Sequence, residues 1–327
     1  MKGFLRLMWC LQESNQGHKD FQSFALPTEL RHPAKTLWVF ERACGQVFYQ
    51  IPQTRLQKYK FIQSCKILIK IYLRPHKRFY SPNFIGMNLV LDFGNTRIKM
   101  AFFEGARLLK ENAFESVTEL LASGCLNEKF EHGLLSSVTQ DHLKVIKILN
   151  PGSKLNVFNS QTPIPLKNRY KTPETLGSDR LLASIASFTL FPNQNVLTID
   201  VGTCIKYNFV NQNNEFLGGA ISPGIPMRLK AMHNFTSALP LLEAEAMFNQ
   251  LLGDDTKSSM LSGAQLGAAF EVDETINRYR DRHPDLKVVL AGGDGHYLSG
   301  QLKNPFFANP NGLLLGLNTV LLYNIEN

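Results

Sequence analysis

The chain has 327 residues, 44% of them hydrophobic and 19% charged, with a net charge of +8. The length suits two domains of ordinary size. No apolar run reaches the roughly 18–20 residues of a membrane span, and the charge is uneven, +10 over residues 1–86 and −2 over residues 87–327, so the main body lacks the basic footprint of a nucleic-acid-binding protein.

Residues 1–86 show no amphipathic period and no repeat. They hold both tryptophans, Trp9 and Trp38, and three of the five cysteines, a composition too aromatic for an ordinary disordered linker. Arg6 and the polar stretch 12–16 interrupt any signal peptide. The apolar segment 61–73 is short and carries Lys66 and Lys70. Irregular cysteine spacing gives neither a metal site nor an even disulfide framework, which fits a reducing cytosol. The favoured reading places 1–86 outside the working protein, with Met87 as the start. The competing reading is a basic accessory or targeting segment.

From Met87 the pattern becomes regular. Residues 90–103 predict a buried strand, a polar turn and a second strand. Asp92 closes the first strand, and Gly94 lets the backbone approach a ligand. Asn95 and Thr96 supply donors, and Lys99 supplies a cation. Such a turn suits a polyphosphate, and Asp92 suits its Mg2+. Helices over 116–123 and 142–149 then alternate with strands over 133–138 and 154–158, the signature of an α/β layered fold. A loop over 168–176 leads into Gly177-Ser178-Asp179-Arg180, which opens a helix with apolar Leu181, Leu182, Ile185 and Phe188. Asp179 reads either as a helix cap or as a functional carboxylate, with Gly177 and Arg180 beside it in favour of function.

Residues 195–209 repeat the opening theme. Leu197-Thr198-Ile199-Asp200-Val201-Gly202-Thr203-Cys204-Ile205-Lys206 again gives strand, Asp, apolar residue, Gly, Thr and Ile-Lys, one residue shorter in the turn. One such motif is weak. Two, each joining apolar strands, predict two similarly built domains with phosphate-facing hairpins across a cleft. Lys206 reads as a solvated strand residue. The glycine-rich stretch 216–225 reads as a packing loop or a substrate border before a helix over 227–235. Thr256 reads as the cap of a helix over 258–279. The small residues Ser262, Gly263, Ala264, Gly267 and Ala268 on it allow close helix approach, within the chain or across a dimer axis. A strand over 287–291 ends in Gly292-Gly293-Asp294-Gly295, glycines that leave room for a flat ring such as adenine or merely make a turn. An apolar helix over 311–323 follows.

Asp-Phe-Gly-Asn-Thr with Lys99, Gly-Ser-Asp-Arg, Asp-Val-Gly-Thr, Gly-Gly-Ala-Ile-Ser-Pro-Gly and Ala-Gly-Gly-Asp occur in that order. In that set and order, residues 87–327 resemble the type III pantothenate kinases, of the actin-like, sugar-kinase and heat-shock ATPase superfamily. The resemblance implies an α/β fold of two ribonuclease-H-like domains, 87–195 and 196–327, facing a cleft in a cytoplasmic homodimer. It implies transfer of the ATP γ-phosphoryl group to the terminal hydroxyl of pantothenate, the first step of coenzyme A synthesis, with Mg2+ and a monovalent cation, K+ or NH4+. It further implies that Asp92, Phe93, Gly94, Asn95, Thr96, Arg97, Ile98 and Lys99 form the ATP phosphate loop and that Thr203 touches ATP. Asp179 matches the general base, and Asp200 a ligand of the monovalent cation. Tyr170, Gly177, Ser178, Asp179, Arg180 and Thr256 match positions that hold pantothenate. Arg180 serves either the pantothenate carboxylate or the placing of Asp179. Cys204, Ile205 and Lys206 stand where many members have small or hydroxyl residues. The alternatives are another small-molecule kinase of the superfamily, since fold alone does not fix the substrate, and a non-catalytic regulatory relative. Neither a nucleic acid nor a membrane is an expected partner.

Overall fold

The computed structural model describes residues 36–41, 47–52, 86–94, 96–137, 142–149, 154–246 and 248–327. Most of what is expected of 1–86, and the ATP role of Asn95, lie outside the described residues. Within that first stretch, β1 (Thr36–Glu41) and β2 (Val47–Pro52) form a two-stranded sheet.

Apolar β-branched and aromatic runs broken by short turns build two larger sheets. In the first, β3 (Met87–Phe93), β4 (Ile98–Glu104) and β5 (Arg107–Phe114) form an antiparallel meander. On the other side of β3, β6 (His132–Ser137) and β7 (Leu155–Val157) run parallel to it, giving the order β5-β4-β3-β6-β7. In the second sheet, β8 (Lys167–Asn168) lies at an edge beside the meander β9 (Val196–Val201), β10 (Cys204–Val210) and β11 (Glu215–Pro223). There β12 (Lys287–Ala291) and β13 (Phe307–Ala308) run parallel to β9 on its free side. Apart from β8, the second sheet repeats the first strand for strand, in order and in direction. This is the duplication that the paired hairpins predict, in the ribonuclease-H-like α/β form that the family resemblance implies.

Strand alternation sorts the side chains into layers. Leu89, Leu91 and Phe93 of β3 face a layer with Leu120 of α1 (Val117–Ala122) and Val145 of α2 (His142–Leu149). Leu197, Ile199 and Val201 of β9 face α4 (Ile225–Asn234) and a long helical stretch. That stretch runs from α5 (Thr256–Leu261) through one π-helical turn, Ser262–Leu266, into α6 (Gly267–Arg282). A short helix, α7 (Gly295–Ser299), follows β12.

The opposite faces meet two central helices, α3 (Ser178–Leu190) and α8 (Gly312–Glu326). Leu181, Leu182, Ile185 and Phe188 of α3 and Leu314, Leu317, Val320 and Leu321 of α8 share one core with Val90, Phe103, Val210 and Phe216. α3 packs on β9 and β10, whereas α8 packs on β3, β4 and β6. The final helix therefore returns to the first sheet. Asn318 fixes it there, its Nδ2 donating to the Gly105 carbonyl at 2.8 Å. The helices cross so closely at Gly316 that a Cβ there would lie 2.0 Å from the Leu182 carbonyl oxygen.

One expectation needs correction. The stretch 216–225 is largely strand, because β11 pairs with β10 through residue 223. Its glycines mask it: Gly218 and Gly219 hold φ of +97° and +155°, and a Cβ at 219 would lie 1.8 Å from the Tyr207 carbonyl oxygen. Glycine serves close strand contact at this bulge, against its usual depletion from strands.

Candidate active site

Alternation also fixes what faces the central helices. Asp92 follows Val90 on the inner face of β3, and Asp200 follows Thr198 on that of β9. The register sets Asp92 opposite Lys99 and Ser136, and Asp200 opposite Lys206 and Ala291. Each turn closes on its glycine: Gly94 N–H donates to the Arg97 carbonyl at 3.2 Å, and Gly202 N–H to the Cys204 carbonyl at 3.1 Å. In the first turn Thr96 and Arg97 are exposed and Lys99 is half-buried, while Phe93 and Ile98 bury their side chains in the core. Phe93 and Ile98 therefore have only backbone to offer a phosphate. Thr203 is exposed at the tip of the second turn.

The N-terminus of α3 completes the arrangement. Gly177 occupies its cap position without a side-chain bond, and Asp179 lies in its first turn. Asp179 Oδ1 accepts from Arg180 N–H at 2.8 Å, and Lys206 Nζ donates to Asp179 Oδ2 at 2.7 Å and to Asp200 Oδ2 at 2.9 Å. A Cβ at 177 would lie 2.6 Å from Asp179 Oδ1, so the glycine makes room for this carboxylate. The expectation that Lys206 is solvated is wrong. Its side chain keeps 21% of its surface exposed and bridges two carboxylates.

Two residues along β10, Asn208 accepts from Arg180 Nε at 2.8 Å. Successive inner-face residues of β10 thus meet successive residues of the helix start. Asn208 is a site residue that motif reading missed. The Arg180 guanidinium is buried, with its carbon 5.5 Å from the centroid of the Tyr170 ring. Its Nη2 has no hydrogen-bond partner among the described residues. An unpaired buried donor of this kind fits an anionic ligand group. Tyr170 in turn packs over Gly218 and beside Phe216.

The family model of type III pantothenate kinases matches residues 88–278. The chain belongs to this family. A type III pantothenate kinase of Christiangramia forsetii is 42% identical over 241 residues, which cover 73% of this chain and 99% of the relative. Those of Flavobacterium johnsoniae and Bacteroides fragilis are 39% and 38% identical, over 74% and 73% of this chain and 100% and 98% of their own lengths. Among solved structures, a ROK hexokinase from Thermus thermophilus aligns over 73% of this chain and 99% of its own, with a TM-score of 0.41 and 18% identity, a likeness too distant to build on.

As in any kinase, the electrostatics of this pantothenate kinase bear on phosphate and metal. Burial pushes the Asp92 carboxyl up to about 6. Ser136 Oγ, donating to Asp92 Oδ1 at 2.6 Å, and the charge of Lys99 oppose that rise, while Asp179 and Asp200 add to it. Burial also works against the charge of Lys206, but Asp200 and Asp179 outweigh it and hold its pKa above the ordinary lysine value. Burial raises Asp294 too, within reach of the charges of Arg97, Lys99 and Asp200. The two hairpins therefore act on common ground. Among the described residues no group of three or more His, Cys, Asp or Glu could hold a metal ion. One buried, incompletely compensated carboxylate fits Mg2+, which binds through one or two carboxylates plus substrate phosphates.

One position after the strands differs from expectation. Thr256 is the exposed first residue of α5 and does not cap it. Asp255 does, accepting from Ser258 N–H at 2.6 Å while Ser258 Oγ accepts from Asp255 N–H at 3.1 Å. Gly292, with φ +89°, is a packing glycine whose Cβ would lie 2.1 Å from the Val201 carbonyl oxygen. Gly293 opens on free space and suits the edge of a ring.

Proposed function

We propose that the chain transfers the γ-phosphoryl group of ATP to the terminal hydroxyl of pantothenate, with Asp179 as general base. The observation that carries this reading is the Asp179 carboxylate, held by Lys206 and by Arg180 N–H beside the paired hairpins. Each carboxylate oxygen has one lone pair engaged and another to offer a substrate hydroxyl. As the hydroxyl oxygen bonds to the γ-phosphorus, its proton passes to Asp179, and the bond from phosphorus to the β–γ bridging oxygen breaks with its electron pair leaving on ADP. Asp92 would hold Mg2+, which when bound neutralises phosphate charge. Gly94, Thr96, Arg97, Lys99 and Thr203 line the phosphates, joined by the backbone of Phe93 and Ile98.

Pantothenate is an anion. Arg180 Nη2, buried and unpaired, is the donor offered to its carboxylate, and Tyr170 and Asn208 position that guanidinium. Gly177, Ser178 and Thr256 complete the substrate set. The chain assembles as a homodimer in the cytoplasm, where Cys125 and Cys204 stay thiols. The dimer is supported by Gly263, Gly267 and Phe270, which share one stripe of the helical stretch; no atom stands near the Cβ positions of the two glycines, and Phe270 is 52% exposed. The catalytic domains are 87–195 and 196–327, a division supported by the two repeated sheets, with β8 of the first range joining the second sheet and α8 of the second range packing on the first.

An ADP-coupled assay with pantothenate, a hexose, glycerol and acetate tests this reading. Turnover with pantothenate alone is expected. Turnover with a hexose and none with pantothenate would overturn it.

A further inference from the structure

The family resemblance puts K+ or NH4+ at Asp200, and the residues present do not fit that ion. Asp200 Oδ2 already accepts from Lys206 Nζ at 2.9 Å. The same ammonium lies 2.7 Å from Asp179 Oδ2. A free cation on this oxygen would touch a charge of its own sign. The lysine is also held from two sides, because the register sets it across from Asp200 on the neighbouring strand and the start of α3 brings Asp179 onto the same ammonium. Its side chain and that of Asp200 are 21% and 17% exposed, so the pair is withdrawn from bulk solvent.

We infer that the ammonium of Lys206 is a built-in monovalent cation, so that this kinase needs no added K+ or NH4+. An alkylammonium carries the same charge as either ion and the same N–H donors as NH4+. Two of its three donors go to Asp179 and Asp200, and the third is left for a phosphate oxygen. Tethering through β10 makes its occupancy independent of the salt around the protein, as any intramolecular ligand is favoured over a free one. Lys206 is in this sense a positioning residue for Asp179 and a source of positive charge beside the transferred phosphoryl group. The inference rests on the pantothenate kinase reading.

The test compares the full-length enzyme in choline chloride, NaCl, KCl and NH4Cl at equal ionic strength. Wild-type kcat should vary by less than about twofold across the four salts, against the order-of-magnitude effects of lost transition-state charge stabilisation. Lys206→Thr should lose about tenfold or more in choline chloride and recover in KCl or NH4Cl. Lys206→Met, which fills the space without charge, should stay low in every salt. A second readout does not depend on turnover: Tl+ binding followed by 205Tl NMR should be absent in wild type and present in Lys206→Thr. Wild-type activity that needs KCl or NH4Cl, or Tl+ bound to the wild-type protein, would overturn the inference even if no variant folds. Absence of turnover with pantothenate in every salt would instead overturn the kinase reading.

Discussion

Lys206 and Asp200 face each other across neighbouring strands, with Nζ 2.9 Å from Oδ2, and Lys99 and Asp92 take the corresponding register positions in the first hairpin. The two pairs differ in what lies beside them. The helix start at Asp179 closes over Lys206, while Asp92 takes its hydrogen bond from Ser136 and meets Lys99 through charge. From one repeated motif the chain has made a pinned ion pair and a buried, half-compensated carboxylate.

Asp179→Asn is expected to lose almost all phosphorylation, at least about a thousandfold, since both base and charge are removed. Nucleotide binding should survive, because the phosphate loop is untouched. Single-turnover kinetics with titration of a fluorescent ATP analogue separates the two; turnover near wild type would remove Asp179 from its role.

Asp92→Asn should abolish activity yet stabilise the unliganded protein. A carboxyl whose folded pKa is raised to about 6 holds its proton more tightly in the native state. Its contribution to stability is then full at low pH and is lost as pH rises from its unfolded value through about 6, a cost of about 3 kcal/mol at pH 8. Asparagine avoids that cost and still offers Ser136 an acceptor. Melting curves without ATP or Mg2+ should show the variant higher by up to about 5–10 °C at pH 8, with the gap closing near pH 4. A variant less stable than wild type at pH 8 contradicts the assignment.

Asn208→Leu removes the acceptor that orients Arg180 and leaves the buried Nε unpaired. The KM for pantothenate should rise by about tenfold or more with a smaller change in kcat, the pattern of lost substrate binding. An unchanged KM would show that Arg180 needs no such support.

Gly316→Ala should destabilise the protein by about 1–3 kcal/mol or more, since its Cβ would lie 2.0 Å from the Leu182 carbonyl oxygen. Urea unfolding measures the loss. Because α3 carries Asp179, kcat should fall as well, whereas a purely local disturbance would leave it unchanged.

A chain beginning at Met87 should fold and phosphorylate pantothenate. Matches of 241 to 248 residues already cover 98–100% of the family relatives. Comparison of kcat/KM for this chain and the full-length protein decides the point; a soluble but inactive short form would give residues 1–86 a part in catalysis.

The hairpins were legible because strand, Asp, Gly and Thr follow one another within a few residues, and the repeat at Asp200 made the duplicated topology readable. β5 was not legible, since a half-exposed edge strand with Arg107, Lys110 and Glu111 loses its apolar alternation. β11 hid behind glycines needed for contact with β10. Lys206 and Asn208 were misread or missed for another reason. Their partners, Asp179 and Arg180, lie 27 and 28 positions earlier, and only the landing of α3 on the inner face of β10 brings them together. Thr256 reads as the cap from its place before the helix, but the cap is Asp255, because Ser258 bonds to it through both hydroxyl and N–H.

The return of α8 to the first sheet has a consequence for synthesis. Val90 and Phe103 belong to β3 and β4, among the first strands of the kinase region to leave the ribosome, yet they share a core with Leu314, Leu317 and Val320 near the end of the chain. The first half cannot finish folding until the last helix emerges. Until then the part of its inner face that α8 covers is open, and a chain stopped before residue 312 would expose it permanently. Premature termination should therefore yield aggregates and not a folded N-terminal domain.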